Sequence, residues 1–359
     1  MNVQPQRIFG FDLARALAIF GMVFVNFRLV MAATAETPLG NMFATMFDGR
    51  AAALFVILAG VGVSLMAQQA RANDGLRSVR ITLLKRSALL LIVGMLFTPI
   101  WPPDILHFYG VYLFVAAWLL AASNRTLLAL TIVSIAVAIG LLLTLDYAAG
   151  WKNFESLDYT DFWTPTGFIR NTLFNGFHPF FPWIGYVFFG MWLGRQPLER
   201  ASTCWRFVVL FSAIAVATEV GSDALLSVAT SSGEITADDA QALLGTAMMP
   251  PSSLYLLSAM STATVVICLC CRIGATWPDS VWLKSLVSTG QLALTHYAAH
   301  VVIGMTVLDA LGMIGSQSIL NVIVASHIFC IAAVVFSCVW RSRYKRGPLE
   351  FAFRVVAGS

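Results

Sequence analysis

Charge is what this chain has least of. Asp, Glu, Lys and Arg make up 11% of its 359 residues, against roughly 25% in soluble domains. Together with a hydrophobic content of 58%, that excludes a water-soluble class. Histidine numbers only five and cysteine six. Cys204, Cys268, Cys270, Cys271, Cys330 and Cys338 fall in positions read below as cytoplasmic or membrane-embedded, where disulfides do not persist, and their spacing suits no zinc site. No metal is expected. A glycine-rich phosphate loop, a nucleophile elbow and a dinucleotide fingerprint are all missing, which excludes those chemistries. The net charge of +4 is spread over alternate loops rather than clustered with aromatics, so nucleic acid is not an expected partner.

Long apolar runs are what the sequence offers instead. Stretches long enough for a span of about 17 to 25 residues lie at 8–31, 51–70, 81–100, 106–122, 127–145, 174–194, 207–225, 254–271, 292–312 and 319–340. The fourth is short, and the seventh carries Glu219 and Gly221 near its end. Basic residues test the count, because cytoplasmic loops hold the excess of Lys and Arg. With an inside N-terminus, the cytoplasmic side collects Arg7, the group Arg71, Arg77, Arg80, Lys85 and Arg86, then Arg125, Arg195, Arg200, Arg206, Arg272, Lys284, Arg341, Arg343, Lys345, Arg346 and Arg354. The outer loops collect Glu36, Asp104, Asp146, Glu155, Asp158, Asp161, Asp223, Glu234, Asp238 and Asp239. The expected fold is an all-α polytopic membrane helix bundle of about ten helices, a single domain over 1–359 with both termini cytoplasmic. Outer loops 146–171 and 227–251 are too short for a core and are expected to form surface helices or lids. Asp12 and Arg15 would interrupt the apolar region of a signal peptide, so the first segment is expected to be retained. No internal repeat of the kind that marks many transporters stands out.

Polar groups inside the spans are the candidate functional residues, since an ionisable side chain in a membrane is costly. Arg15 and Asn26 lie about three helical turns apart on one face, separated by about 16 Å along the axis. Asp12 precedes Arg15 by three residues, within local pairing distance. Two readings stay open: an ion pair anchoring the inner helix end, or a cationic group facing a cavity, to which Asn26 beside the small Gly21 points. Asp48 and Arg50 place an acid and a base at the outer boundary of the second helix. Asp48 would serve there as an ordinary cap, which leaves Arg50 unexplained. Gly60 and Gly62, with Ala59, give that helix a flat face for close contact.

Asp104 is spaced to reach His107 on one helical face, and a carboxylate that fixes an imidazole tautomer makes a general base. His178 lies at the outer boundary of the sixth helix, next to Pro179. Either histidine could instead be an interfacial residue bonded to backbone. His296 and His300 are four apart without an evident third ligand for a metal. His300 and His327 read as packing residues, and His296 as lining the inner half of a cavity or as structural.

These residues carry a resemblance. Asp12-x-x-Arg15 followed by Met22-Val23-Phe24-Val25-Asn26 resembles the first catalytic-domain helix of heparan-alpha-glucosaminide N-acetyltransferase. The segments Phe47 to Ala52, Asp104 to Gly110, His178-Pro179 through Gly190 to Arg195, and the tail Arg346-Gly347-Pro348-Leu349-Glu350 resemble the bacterial YeiB-like membrane proteins over nearly the whole chain. The spacing of Arg15 and Asn26 is also similar to an arginine and histidine pair of the wider acyltransferase-3 group, with asparagine in place of histidine. The lysosomal enzyme has its important histidine in the first luminal loop, and residues 27–47 contain none.

The resemblance implies a transmembrane acyltransferase of the bacterial cytoplasmic (inner) membrane. It would move an acetyl or other short acyl group from cytoplasmic acetyl-CoA, or another acyl-CoA, to an acceptor hydroxyl or amine at the outer face. Arg77, Arg80, Lys85 and Arg86, with Arg15, are expected to hold the donor's phosphates, and Arg50 and His296 join the donor-binding set. The catalytic set is His107 or His178 as base, Asp104 and Asp48, with Asn26 and Arg50 stabilising the oxyanion. Direct transfer is expected, since no cysteine lies near the outer face. Membrane lipids and a glycan, lipid or small-molecule acceptor are the expected partners, and glycine-rich helix faces suit a homodimer. The rival class is a transporter or flippase whose polar groups bind a migrating anionic or lipid-linked substrate; a membrane scaffold or sensor is a third.

Overall fold

The computed structural model describes residues 8–33, 40, 45–71, 75–153, 157–233 and 235–358. Arg7, Glu36, Glu155 and Glu234, used above in the charge distribution, lie outside them. Six helices are long and apolar enough to cross a membrane: Phe9–Val30, Arg50–Arg71, Asn124–Thr144, Ala201–Ser232, Ser253–Thr276 and Ile319–Arg343. A seventh arises if the pair Val281–Gln291 and Ala293–Ala310, bent by 71°, is one span. The expected apolar runs all lie on helices, yet three of those helices fall short of the count. Leu76–Phe97 carries Arg77, Arg80, Lys85 and Arg86, while Leu106–Trp118 and Phe180–Leu193 are only 13 and 14 residues long. Exposed positions on Asn124–Thr144 and Ile319–Arg343 include Ile132, Val133, Leu143, Ile328, Ile331 and Val335, where a helix in water would present charge. The chain is an all-α, multi-pass membrane protein.

It divides into two compact units. One comprises residues 1–55, 197–213 and 261–352. Here Phe9–Val30 packs on Val281–Gln291 and on Ile319–Arg343. The approach is close because Gly290 faces the Asp12 carbonyl, where a Cβ would meet oxygen at 1.8 Å, and Gly10 faces the Cys271 backbone. The last carbonyls of the first helix, Val30 and Met31, are satisfied by the amides of Gly315 and Gln317, as a helix end requires. The bend at Leu292 opens a new helix N-terminus at Ala293–Ala299. Its orphan donors find a carboxylate from far along the chain: Glu350 accepts from the Thr295 amide at 3.0 Å and from its hydroxyl at 2.6 Å. Thr295 Oγ1 in turn accepts from the Leu349 amide at 3.2 Å. The Arg346-to-Glu350 tail thus works as a capping box supplied in trans along the chain. It fixes the direction of the helix that carries His296 and His300.

The other unit comprises residues 56–196, 214–260 and 353–359. Leu76–Phe97 packs along Leu106–Trp118, and Asn124–Thr144 along Phe180–Leu193. Glycine permits both contacts: Gly94 lies against the backbone of His107, Gly110 against Ser87 and Leu91, and Gly185 against Ser134. Gly60 abuts Val187 and Met191, so the flat face read from the sequence is a helix contact. Segment 146–171, expected from the sequence to be an outer loop, forms a short antiparallel hairpin, Trp151–Asn153 with Asp158–Tyr159, and the helix Pro165–Arg170. Segment 227–251 holds the end of Ala201–Ser232 and the helix Ala237–Leu244, capped by Thr236. Ala201–Ser232 is therefore much longer than the run 207–225. Glu219 is accommodated within it, accepting hydrogen bonds from the hydroxyls of Thr246 and Ser258.

Candidate functional site

Asp104 and His107 form one centre. Asp104 precedes Leu106–Trp118, and its Oδ2 accepts from the amides of Leu106 at 2.9 Å and His107 at 3.3 Å. That is the capping role a carboxylate plays at a helix start. The same oxygen lies 3.4 Å from His107 Nδ1, longer than the roughly 2.7–2.9 Å of a charge-assisted bond. It still places the Nδ1 proton toward the carboxylate and leaves Nε2 with its lone pair. Both side chains are buried, at 0% and 1% exposure.

His178 joins this centre. The two imidazoles flank Phe108, with ring centroids at 3.9 Å from His107 and 5.9 Å from His178, and they interact electrostatically. Phe162, from the segment after the hairpin, meets the His107 ring edge-on at 5.9 Å, and Trp183 meets His178 at 4.7 Å. His178 sits just before Phe180–Leu193, and Tyr112 donates its hydroxyl to the His178 carbonyl. One short helix, through His107 and Tyr112, thus positions both histidines. His107 Nε2, His178 Nδ1 and Trp183 Nε1 are buried and have no hydrogen-bond partner among the described residues. A buried unpaired polar atom costs about 1–3 kcal/mol, so a group of three marks a place for a polar ligand.

A hydrogen-bond network that the sequence reading missed surrounds the turn that leads to His178. The π-helix Asn171–Asn175 ends at Asn175, whose Nδ2 donates to the carbonyls of Tyr147 and Ala149, each at 2.8 Å. Asn175 Oδ1 accepts from the Tyr159 hydroxyl at 2.7 Å, and its carbonyl accepts from Trp151 Nε1 at 2.8 Å. Arg170 donates to Tyr159 at 2.7 Å and to Asp161 at 2.6 Å. Burial raises the Tyr159 phenol above its usual range despite the opposing Arg170 guanidinium, so it stays a proton donor to Asn175. The only signal in the sequence was polar residues beside an apolar run, which many loops share.

Asn26 belongs to the other unit, where its Nδ2 lies 2.8 Å from His300 Nε2. His300 is therefore more than the packing residue expected. Gly21 does not open a cavity beside Asn26: a Cβ there would lie 2.7 Å from the Ala51 Cβ, so it serves a helix crossing. Asp48 pairs with Arg28, whose Nη2 reaches both carboxylate oxygens at 2.7 and 2.6 Å, and Arg50 adds a further favourable charge. Arg28 went unnoticed in the sequence because it sits in the last turn of an apolar run. Arg15 bonds Asp12 at 2.6 Å, the pairing that their three-residue spacing allows, and Gln291 also reaches Asp12 at 3.3 Å.

His296 bonds Ser337 at 2.7 Å, and Ser337 spends its proton on the Ala333 carbonyl at 2.7 Å. His296 Nε2 must then donate, which is a structural tie between helices. His327 is bonded to the Ile323 carbonyl one turn back, and all six cysteines are free. No group of three His, Cys, Asp or Glu among the described residues could hold a metal. On Leu76–Phe97, Arg80 donates to the Ala117 carbonyl at 3.1 Å and lies over Trp118. Arg86 contacts the Met66 sulfur at 3.7 Å, and Arg77 and Lys85 are exposed.

Gly94 links packing to this site. An added Cβ would fall 2.2 Å from the His107 amide nitrogen and 2.7 Å from its Cα, and backbone cannot rotate aside as a side chain can. Gly94→Ala is expected to displace His107 and lower turnover about tenfold or more, by the sensitivity of catalysis to misplacement near 1 Å. Turnover and melting temperature measured together check it: activity should fall further than stability accounts for.

Comparison with known proteins completes the picture. Residues 196–358 match a family described as "Protein of unknown function (DUF418)". No curated protein matches the chain. Residues 7–227 match the catalytic region of heparan-alpha-glucosaminide N-acetyltransferase, and that segment contains Asn26, Asp48, Asp104, His107 and His178. It covers more than half the sequence, so the chain belongs to the heparan-alpha-glucosaminide N-acetyltransferase catalytic family, a group of transmembrane acetyltransferase-like proteins.

Proposed function

We propose that this protein is an acyl-CoA-dependent acyltransferase in which His107 is the general base. The observation that carries this reading is the buried Asp104–His107 pair with its outward nitrogen unpartnered beside His178 and Trp183. A neutral imidazole whose Nδ1 proton is held by a carboxylate is set to accept a proton at Nε2. In the reaction, His107 takes the proton of an acceptor hydroxyl or amine as its oxygen or nitrogen bonds the acyl carbon. The carbon–sulfur bond breaks, and the departing thiolate of CoA takes up the proton that His107 removed, which leaves free thiol and a neutral imidazole. Asn26 and Arg50 are assigned the stabilisation of the charge that develops on the carbonyl oxygen.

The inner basic face of Leu76–Phe97 suits an anionic donor. Arg77, Arg80 and Lys85 form no ion pair with a carboxylate among the described residues, and Arg86 lies near a second cation, Arg354. These groups would hold the phosphates of acetyl-CoA as point charges and forks. Arg15, already bound to Asp12, contributes less directly. Ten membrane crossings, cytoplasmic termini, an inner-membrane location and a homodimer remain part of this reading, on the charge alternation of the loops and the glycine-rich helix faces.

The testing experiment is release of free thiol from acetyl-CoA by the purified full chain, with amino sugars, sugar hydroxyls and lipid headgroups as acceptors. Acceptor-dependent thiol release with acyl product is the expected result. Vesicle flux of an anionic substrate without any acyl turnover would instead establish the transporter reading.

A further inference from the structure

The sequence leaves Asn26 without a histidine in its own outer loop, and the structure supplies one from elsewhere. Phe9–Val30 presents Asn26 half-buried, and His300, only 1% exposed, meets it from the start of the π-helix His300–Met305. A π turn inserts one residue into the helical ladder and is often found at functional positions. Here Gly304 within that turn lies against Phe27, the neighbour of Asn26, where a Cβ would fall 2.7 Å from the ring. The imidazole is wedged edge-on between Tyr297 at 5.2 Å and Phe329 at 6.5 Å, and Phe329 packs on Phe27 at 5.8 Å. It has little room to turn.

The contact fixes proton positions. Asn26 Nδ2 is only a donor, so His300 Nε2 at 2.8 Å must accept, and the ring proton lies on Nδ1. Nδ1 is directed at the His296 and Tyr297 carbonyls without a well-aligned bond. One Asn26 N–H is thereby engaged. The second N–H and Oδ1 are left in a fixed direction, and an amide otherwise free to rotate is locked in one of its two faces. A donor aimed before the reaction begins needs no reorganisation as charge develops, which is what makes such groups effective.

We infer that His300 is a positioning residue that orients the Asn26 amide so that its second N–H is aimed at the acyl carbonyl oxygen. This rests on the reading of Asn26 given above. His300 itself exchanges no proton with substrate; it acts through Asn26.

Four variants of the full chain test this: Asn26→Ala, His300→Leu, His300→Met and His300→Gln. Glutamine offers Oε1 near the place of Nε2, so it keeps an acceptor for Asn26 without an imidazole. With acetyl-CoA as donor, Asn26→Ala should lose about 10²-fold in kcat, the scale for one oxyanion donor. His300→Leu and His300→Met should lose about tenfold or more with KM for acetyl-CoA unchanged, and His300→Gln should return to within about threefold of wild type. Adding His300→Leu to Asn26→Ala should cost nothing further.

Wild-type kcat in a folded His300→Leu or His300→Met, beside an impaired Asn26→Ala, overturns the inference and leaves the role of Asn26 standing. A folded His300→Gln as inactive as the apolar variants also overturns it, because the imidazole would then act in its own right. Full activity in Asn26→Ala removes the role of Asn26 and the inference with it. Having two apolar variants and the glutamine keeps the test decisive if one of them fails to fold.

Discussion

Replacing His107 by alanine is expected to lower acyl transfer by about 10²- to 10⁴-fold, the range for loss of a positioned general base, with acetyl-CoA binding retained. Among the described residues no other combines full burial, a carboxylate on one ring nitrogen and an unpartnered second nitrogen. Asp104→Asn separates two functions that share one oxygen. The asparagine oxygen still accepts from the Leu106 amide and keeps the cap, but the negative charge that would stabilise His107 as it takes up a proton is gone, so turnover should fall while melting temperature changes little. Asp104→Ala also loses the cap, about 1 kcal/mol. His178→Ala, made separately, decides which imidazole is the base. Titration of acetyl-CoA binding alongside the transfer rate reads the difference, and full activity in both histidine variants sinks the base assignment.

Much of this centre was legible before the fold was known, for a simple reason. Asp104 and His107 are three apart on one helix, and local spacing is what a sequence encodes directly. Arg15 and Asp12 pair for the same reason. Long-range partners obey no such rule. Asn26 and His300 lie 274 positions apart, and Arg28 reaches Asp48 across 20, so nothing in either local sequence announces the pair. The sequence offered Asp48 only a capping role and left Arg50 unexplained, whereas the guanidinium that holds Asp48 came from the preceding helix. The Arg346-to-Glu350 tail was visible as a motif, but its work, capping a helix that begins at a bend 55 residues earlier, needed the tertiary structure.

The membrane count shows the other limit. Hydropathy located ten helical segments, because each apolar run must satisfy its backbone internally in lipid, but it passed over Val281–Gln291. It could not tell a full span from a short helix such as Leu106–Trp118, whose 13 residues reach about 20 Å at 1.5 Å per residue. Nor could it foresee that the run 292–312 would be the second arm of a bent pair. That bend is what turns His296 and His300 toward Ser337 and Asn26. Where the chain departs from regular helix, at the 71° bend and the two π turns, Asn175, His296 and His300 are found.

A large loss of stability is expected at Gly190. Here Phe180–Leu193 crosses Arg50–Arg71 so closely that an added Cβ would lie 2.1 Å from the Ile57 carbonyl oxygen and 3.1 Å from the Gly60 Cα. The reverse contact is as tight, since a Cβ on Gly60 would meet the Val187 oxygen at 2.3 Å and the Met191 nitrogen at 2.9 Å. Small residues let membrane helices approach to backbone contact, and van der Waals packing then holds them where water cannot drive association. Gly190→Ala must push two backbones apart, because neither listening partner is a side chain with another rotamer. The cost should reach the upper end of overpacking, about 3 kcal/mol, with a lower melting temperature in detergent. Gly140 and Gly221 are helical glycines with open space around the missing Cβ. Alanine at either should leave stability unchanged or raise it by up to about 1 kcal/mol through helix propensity. Equal melting temperatures for Gly190→Ala and Gly140→Ala would defeat the prediction. Because His178 and Trp183 are carried by the same crossing helix and the turn before it, the Gly190 variant should also lose transfer activity, while the two control variants keep it.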